Sequence, residues 1–324
     1  MTTSAIAVSG LRKAFGDKIV LDGIDLDVPA GTVFSLLGPN GAGKTTTVNI
    51  LTTLMKADAG TVRVAGHDIA AEARAVRAVV GVTGQFAAVD ELLTGQENLQ
   101  LMADLKRLGS GPARRVITGL LERFDLSEPA HKPVSTYSGG MRRKLDLAMT
   151  LVGSPQVIFL DEPTTGLDPR SRRTMWDIVR ELVADGVTVF LTTQYLDEAD
   201  QLADQIAVLD QGRIVAQGTP GELKRQVPGS HVLLRFASAG DLDAAARVLD
   251  GCTRNDEDLT LRVPSDGGLK SLRALLARLD EHSIDPEDFS VHTPDLDDVF
   301  LALTGHPNTG HPNTGHAHTE VNAR

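Results

Sequence analysis

The sequence predicts an α/β fold followed by a small α+β domain, and three observations carry that expectation. A short apolar run, Thr32-Val33-Phe34-Ser35-Leu36-Leu37, precedes a glycine-rich octet, after which Thr46-Thr47-Val48-Asn49-Ile50-Leu51 places apolar residues at helical spacing. A second apolar run, Val157-Ile158-Phe159-Leu160, ends on the paired carboxylates Asp161-Glu162. Around Pro220 and Pro228-Gly229 the chain punctuates itself, and shorter strand-like and helical stretches follow.

The octet Gly38-Pro39-Asn40-Gly41-Ala42-Gly43-Lys44-Thr45 fits G-x-x-x-x-G-K-[ST], the phosphate-binding loop. Strand, glycine loop, helix is the context this motif needs. Its glycines let successive backbone N–H groups converge on a triphosphate at a helix N-terminus, where the dipole favours anions. Lys44 then reaches the β- and γ-phosphates, the Thr45 hydroxyl can hold Mg²⁺, and Thr46 continues the cradle. The Asp161-Glu162 pair suits the end of a buried strand beside that loop, with Asp161 near the Mg²⁺ shell and Glu162 polarising an attacking water. An ordinary strand running into an acidic loop has the same look, so the pair gains its weight from the octet. Between the two, Tyr137-Ser138-Gly139-Gly140-Met141 opens a helix through Arg142-Arg143-Lys144-Leu145-Asp146-Leu147-Ala148-Met149. A serine and two glycines at a helix start form a second anion-binding terminus; a surface loop is the plainer alternative.

These stretches resemble the ATP-binding-cassette (ABC) transporter ATPases, in which a phosphate loop, a Gln loop, an L-S-G-G-Q signature and a Walker-B strand occur in that order. The signature here, Tyr137-Ser138-Gly139-Gly140-Met141, differs at both ends. Val82-Thr83-Gly84-Gln85, Tyr137 to Arg143 and Thr192-Thr193-Gln194-Tyr195-Leu196-Asp197-Glu198-Ala199-Asp200 resemble the daunorubicin/doxorubicin-resistance subfamily. The resemblance spans residues 5–222. It implies a P-loop cassette with a RecA-like core, an antiparallel β-subdomain and a helical subdomain, hydrolysing ATP with Mg²⁺.

The resemblance also implies roles. Phe15 would stack on adenine. Gly38 through Thr46 would cradle the phosphates, with Lys44 acting in catalysis as well. Gln85 would sense the Mg²⁺ and γ-phosphate and touch the membrane subunit. Ser138, Gly139 and Gly140 would contact the γ-phosphate held by a second copy, and Asp168, in Gly166-Leu167-Asp168, would link the two active sites. Gln194 stands where most ABC ATPases carry histidine. Glutamine donates a hydrogen bond but cannot carry positive charge or transfer a proton as histidine does, so slower hydrolysis is expected. The subfamily shares this glutamine, so loss of activity is not.

A dimer follows from the inventory. A nest, a lysine and Mg²⁺ leave the outer face of the γ-phosphate open, and the signature helix of a second subunit can close it. With one phosphate loop and one signature per chain, a homodimer is expected, ATP joining the copies and hydrolysis releasing them.

Composition bounds the rest. At 324 residues the chain can hold two domains. With 32 Lys and Arg against 43 Asp and Glu, the net charge of −11 gives no electrostatic footprint for nucleic acid. Arg142-Arg143-Lys144 reads as a solvated helix face. The single cysteine, Cys252, forms no internal disulfide and suits a reducing cytosol. No signal-peptide pattern and no apolar run approaching about 18 residues is present. A transport role therefore needs a separate permease, places this chain on the cytoplasmic face of the membrane, and leaves any small-molecule cargo to that partner.

Ile19-Val20-Leu21 and Thr61-Val62-Arg63-Val64 predict an antiparallel sheet beside the core, and residues 94–128 turn helical. Residues 177–184 predict a helix, Val187-Thr188-Val189-Phe190-Leu191 a buried strand, and Asp210-Gln211-Gly212 a hairpin closing a domain over 5–222. Residues 230–304 predict a small α+β domain, with strands at His231–Phe236 and Leu259–Val263, helices at 242–249 and 269–279, and an ending, Pro294 to Gly305, that resembles the drug-resistance group. Residues 305–324 repeat a Gly-His-Pro-Asn-Thr unit and read as disordered rather than as a metal site. Two function classes remain. One is the energising ATPase of an exporter for a hydrophobic drug or secondary metabolite. The other is a soluble ABC ATPase acting on nucleic acid or protein complexes, which typically carries two cassettes, zinc motifs or coiled-coil insertions not found here; within transport, an ABC subunit for another cargo, import included, is the alternative that only the subfamily resemblance disfavours.

Overall fold

The computed structural model describes residues 4–305 except 86, 228, 229, 267 and 293, and these fall into two compact units, up to Pro220 and from Gly221 onward. The first unit opens with two long strands, β1 (Ser4–Phe15) and β2 (Lys18–Pro29), then β3 (Val33–Leu37) and helix α1 (Lys44–Leu51). There follow β4 (Ala59–Val64), β5 (His67–Asp68), α2 (Ala73–Val79) and β6 (Val80–Thr83), then the helices α3 (Gly95–Leu105) and α4 (Ser110–Arg123). After a short 3₁₀ turn come α5 (Gly139–Leu151), β7 (Val157–Asp161), α6 (Pro169–Ala184), β8 (Thr188–Thr193), α7 (Leu196–Leu202), β9 (Gln205–Asp210) and β10 (Arg213–Gly218).

A six-stranded sheet of order β10-β9-β3-β8-β7-β6 forms the centre, parallel except for the edge hairpin partner β10. Parallel strands covered on both faces read as continuous apolar runs, and every residue of β3, β7 and β8 is buried. Alternation sorts their side chains to two cores. Phe34, Phe159 and Phe190 point to the side of the antiparallel sheet β2-β1-β4-β5 and form an aromatic row, with ring centroids 5.4 and 5.5 Å apart. Val33, Ile158, Leu160, Val189 and Leu191 point to the other side, where α3, α4, α5 and α6 bury Leu99, Leu121, Leu145 and Ile178. All the strands that carry the octet and the carboxylate pair therefore end at one edge of a sheet clamped from both sides, which fixes the loops leaving it.

Several elements differ from expectation. The run at Ile19–Leu21 lies within a strand of 12 residues, that at Thr61–Val64 within one of six, and a second 12-residue strand, β1, pairs with both. The helical region breaks at Arg107 (φ 56°) into α3 and α4. The helix expected at 177–184 starts earlier, at Pro169, because Asp168 caps it and proline suits the first turn.

The second unit takes in α8 (Pro220–Gln226) from its second residue, then β11 (His231–Arg235), α9 (Ala239–Val248), β12 (Thr253–Asn255), β13 (Thr260–Pro264), α10 (Leu269–Glu281), β14 (Asp288–His292) and α11 (Leu296–Thr304). Its antiparallel sheet has order β12-β13-β11-β14, and Val232, Leu234, Phe236, Leu242, Leu261 and Leu279 make its core. Gly305 ends α11 in the left-handed region, and the repeat from His306 lies outside the described residues. Among the described residues no helix is long and apolar enough to cross a membrane.

Candidate nucleotide site

The glycine loop leaves β3 at Leu37 and enters α1 at Lys44. Gly43 caps that helix with φ 114°, where an L side chain is strained, and a Cβ there would stand 2.6 Å from Leu21 Cδ2 and 3.0 Å from the Val20 carbonyl oxygen. A Cβ at Gly38 would run into the Leu209 carbonyl. Both glycines are needed because the loop passes against backbone. No side chain caps α1, so its first N–H groups face a cavity of about 340 Å³ lined by Asn40, Gly41, Gly43, Lys44, Thr45 and Thr46 from the loop, Lys18 and Val20 from β2, and Gln85 and Glu162. A pocket of about 620 Å³ in the second unit is larger. Chemistry rather than size marks the loop cavity.

Lys44 is buried, and its Nζ donates to the Gly38 and Pro39 carbonyl oxygens at 2.7 and 3.1 Å. It also lies 3.4 Å from Glu162 Oε1. Burial pushes the ammonium below its usual value, against the opposing effect of the Glu162 and Asp161 carboxylates. Glu162 takes φ 50°, and its amide donates to both the backbone and the side-chain oxygen of Thr192, each at 3.1 Å. Thr192 Oγ1 in turn donates to Asp161 Oδ1 at 2.5 Å. Strand β8 thus holds both carboxylate residues at the end of β7. A hydroxyl on Thr45, a carboxylate on Asp161 and an amide oxygen on Gln85 are hard donors. That set fits Mg²⁺, which keeps waters and takes one or two protein ligands together with phosphate oxygens.

Other predicted residues stand elsewhere. Phe15 is half-exposed at the end of β1, opposite Lys18, with Lys13 Nζ 5.5 Å from its ring centre. Ser138 caps α5 by accepting from Met141 N at 3.2 Å. Ser138 and Gly140 line a separate cavity with Arg170 and Ser171 on α6, not the phosphate-loop cavity of the same chain. Gly139 is the first residue of α5. Asp168 accepts from Ser171 Oγ at 2.5 Å and from the amides of Arg170 and Ser171 at 3.0 Å, which together hold it below the usual carboxylate range. Gln194 follows β8, half-buried, just before α7. Ala42 is buried, and its amide donates to the Pro39 carbonyl at 3.2 Å.

Sequence reasoning missed two charged residues. Arg143, expected on a solvated face, is 7 % exposed, whereas Arg142 beside it is half-buried and pairs with Glu91. Glu198 is fully buried and accepts from Thr164 Oγ1 at 2.8 Å and Trp176 Nε1 at 3.2 Å; burial pushes its carboxyl up. A sequence signal existed for the first: Arg143 stands three residues before an acidic partner, Asp146, that is itself flanked by Leu145 and Leu147 on α5.

The family profile described as ABC transporter matches residues 21–165. The chain is 51 % identical to the daunorubicin resistance ATP-binding protein DrrA3 of Streptomyces coeruleorubidus, over 94 % of this chain and 97 % of that one. It is also 51 % identical to the daunorubicin/doxorubicin resistance ATP-binding protein DrrA of Streptomyces peucetius, over 94 % of each. The solved ADP conformation of MJ1267, an ATP-binding cassette of an ABC transporter, superposes with a TM-score of 0.61 at 27 % identity, covering 68 % of this chain and 93 % of that one. With identity at that level along nearly its whole length, the chain belongs to the ATP-binding proteins of ABC transporters, in the group that includes the daunorubicin and doxorubicin resistance members.

Proposed function

We propose that this chain, as the ATPase of a drug exporter, binds Mg²⁺-ATP in the phosphate-loop cavity and couples its hydrolysis to efflux of a hydrophobic drug or secondary metabolite through a separate permease. The observation that carries this reading is the loop cavity itself, where Lys44, Gln85 and Glu162 meet an uncapped helix N-terminus. The relatives named for daunorubicin resistance support the cargo class.

In this reading Lys44 exchanges its carbonyl partners for phosphate oxygens, and the first amides of α1 receive the rest of the charge. Thr45, Asp161 and Gln85 hold the cation, which supplies charge neutralisation at the phosphates. Glu162 orients the attacking water and accepts its proton. Gln194 donates to the γ-phosphate, and Phe15 packs on the base. Ser138, Gly139 and Gly140 act on the nucleotide of a second copy, since Ser138 and Gly140 line a cavity away from the loop of their own chain; Asp168 links the two sites. The homodimer would work at the cytoplasmic face of the membrane. We also propose that the cassette spans 5–222, with residues 230–304 as a separate domain.

Accumulation of anthracyclines in cells lacking this chain tests the cargo. The parent is expected to restore efflux and Lys44→Ala to fail. If no toxic hydrophobic compound accumulates in the null cells, drug efflux is the wrong cargo or transport the wrong class, and membrane co-sedimentation decides between an ABC subunit for another cargo and a soluble ABC ATPase.

A further inference from the structure

We propose that Arg143 and Asp146 are positioning residues that tie the signature helix of this chain to both the Gln85 segment and the Glu162 turn, so that the three move together. The proposal rests on the roles given to Gln85 and Glu162 above.

The geometry is unusual in how many segments one side chain reaches. Arg143 Nε donates to the Pro163 carbonyl at 2.9 Å. Its Nη1 donates to the Gly84 carbonyl at 2.8 Å and to Asp146 Oδ2 at 3.3 Å. Its Nη2 donates to the carbonyls of Asp161 and Glu162 at 3.2 and 3.4 Å. Asp146 uses its other oxygen, Oδ1, to accept from the Ala88 amide at 2.9 Å. One buried pair therefore holds backbone on both sides of Gln85 and on both sides of Glu162. Arg143 sits on α5 less than two turns from Ser138, Gly139 and Gly140, and Asp146 lies one turn further along.

Energetics argue against reading the pair as simple stabilisation. Burial pushes the Arg143 guanidinium down and the Asp146 carboxyl up, in each case as the largest effect, so removal from water opposes the charged forms on both sides. Buried ion pairs are often no more stabilising than an apolar replacement. What this one supplies is direction. Five N–H groups in a planar fork reach carbonyls on two loops at once, and a lysine ammonium, a single point of charge, does not. The carbonyls it reaches belong to backbone at the end of β7 and just beyond the ends of β6 and β7, where buried polar groups need partners.

A pull on the signature by a second copy's nucleotide thus reaches the water-orienting carboxylate and the Gln85 segment together. Sub-ångström placement matters there, because a 1 Å displacement of a reacting group costs on the order of 100-fold in rate.

The test uses the full chain as parent, Arg143→Lys and Asp146→Asn, with Lys44→Ala as the inactive control. Arg143→Lys is expected to lower kcat at least about 10-fold while KM for ATP stays within about 3-fold. Asp146→Asn retains an acceptor for the Ala88 amide and is expected to lose less. Hydrogen exchange on nucleotide-free protein supplies a readout independent of turnover: amides of residues 84–88 and 161–165 should exchange at least about 10-fold faster in Arg143→Lys, with the sheet amides of β3 unchanged. Exchange at parental rates in both segments overturns the proposal whether or not the protein turns over ATP. So does Arg143→Lys with parental kcat, or a loss of kcat that only follows the fraction of folded, nucleotide-binding protein. A parent with no Lys44-dependent turnover would instead sink the reading of the site, and the exchange rates would still decide the linkage.

Discussion

The two units of this molecule bury polar groups in opposite ways. Up to Pro220, Lys44, Arg143, Asp146, Asp161, Glu162 and Glu198 are all buried, with eight uncharged polar side chains and Asn98's carboxamide among their neighbours in the same unit. From Gly221 onward, Thr260 is the only buried polar side chain among the described residues, and the buried apolar residues are aliphatic apart from Phe236 and Phe300. Its charges stay outside in pairs such as Arg254 with Asp243. Burying a charge is costly unless it is paired and hydrogen-bonded. A fold that accepts this in one unit and avoids it in the other has concentrated its chemistry in the first.

The largest effect that would sharpen this contrast comes from the loop. Gly43→Ala forces a strained φ and a contact with Leu21 and Val20, so ATP affinity is expected to fall at least about 100-fold in a fluorescent-nucleotide titration. Affinity within a few-fold of the parent would mean the loop is not the site. In the second unit, Phe236→Ala should destabilise its apolar core by about 3 kcal/mol in chemical denaturation while nucleotide affinity holds. A parallel loss of affinity would break the division between a chemical and a structural unit.

A smaller, pH-dependent effect concerns Glu198. Its folded value lies above the unfolded one because of burial, opposed by the hydroxyls of Thr193 and Thr164 and the Trp176 indole. A carboxyl shifted that way is fully compatible with folding where it is protonated in both states. Stability is then lost as pH rises through the unfolded value toward the folded one. The melting temperature of Glu198→Gln, measured against the parent, should therefore improve on going from pH 4 to pH 7. A difference that does not change with pH contradicts the shift. The smallest expected effect is that of Gln194→His, where a group able to carry charge replaces an amide: ATP turnover should rise about 2- to 10-fold, and equal rates would remove the idea that Gln194 slows the last step.

Much of the first unit was legible because its chemistry needs residues adjacent in sequence. The octet at Gly38, the Asp161-Glu162 pair and the Ser138-Gly139-Gly140 cap are local patterns, and β3 and β7 betray themselves as unbroken apolar runs. Arg143 and Glu198 were illegible for the opposite reason. Whether a charged residue on a helix is solvated depends on which distant segments cover it, here Gly84, Asp161, Glu162 and Pro163 for the first and Thr164 and Trp176 for the second. In the second unit, β11 and β13 were expected from their apolar residues, whereas β14 was not. Asp288–His292 alternates polar residues with Phe289 and Val291, but the run is short and all five residues are exposed, so pairing with β11 rather than a buried face makes it a strand.

The most direct measurement is ATP turnover by the purified chain with Mg²⁺, parent beside Glu162→Gln, together with the size of each in ATP. The parent should hydrolyse ATP. Glu162→Gln should lose at least about 100-fold in kcat yet still bind ATP and shift to a stable dimer. Hydrolysis by Glu162→Gln at the parental rate would contradict the account, since the carboxylate held beside Lys44 would then take no part in the reaction.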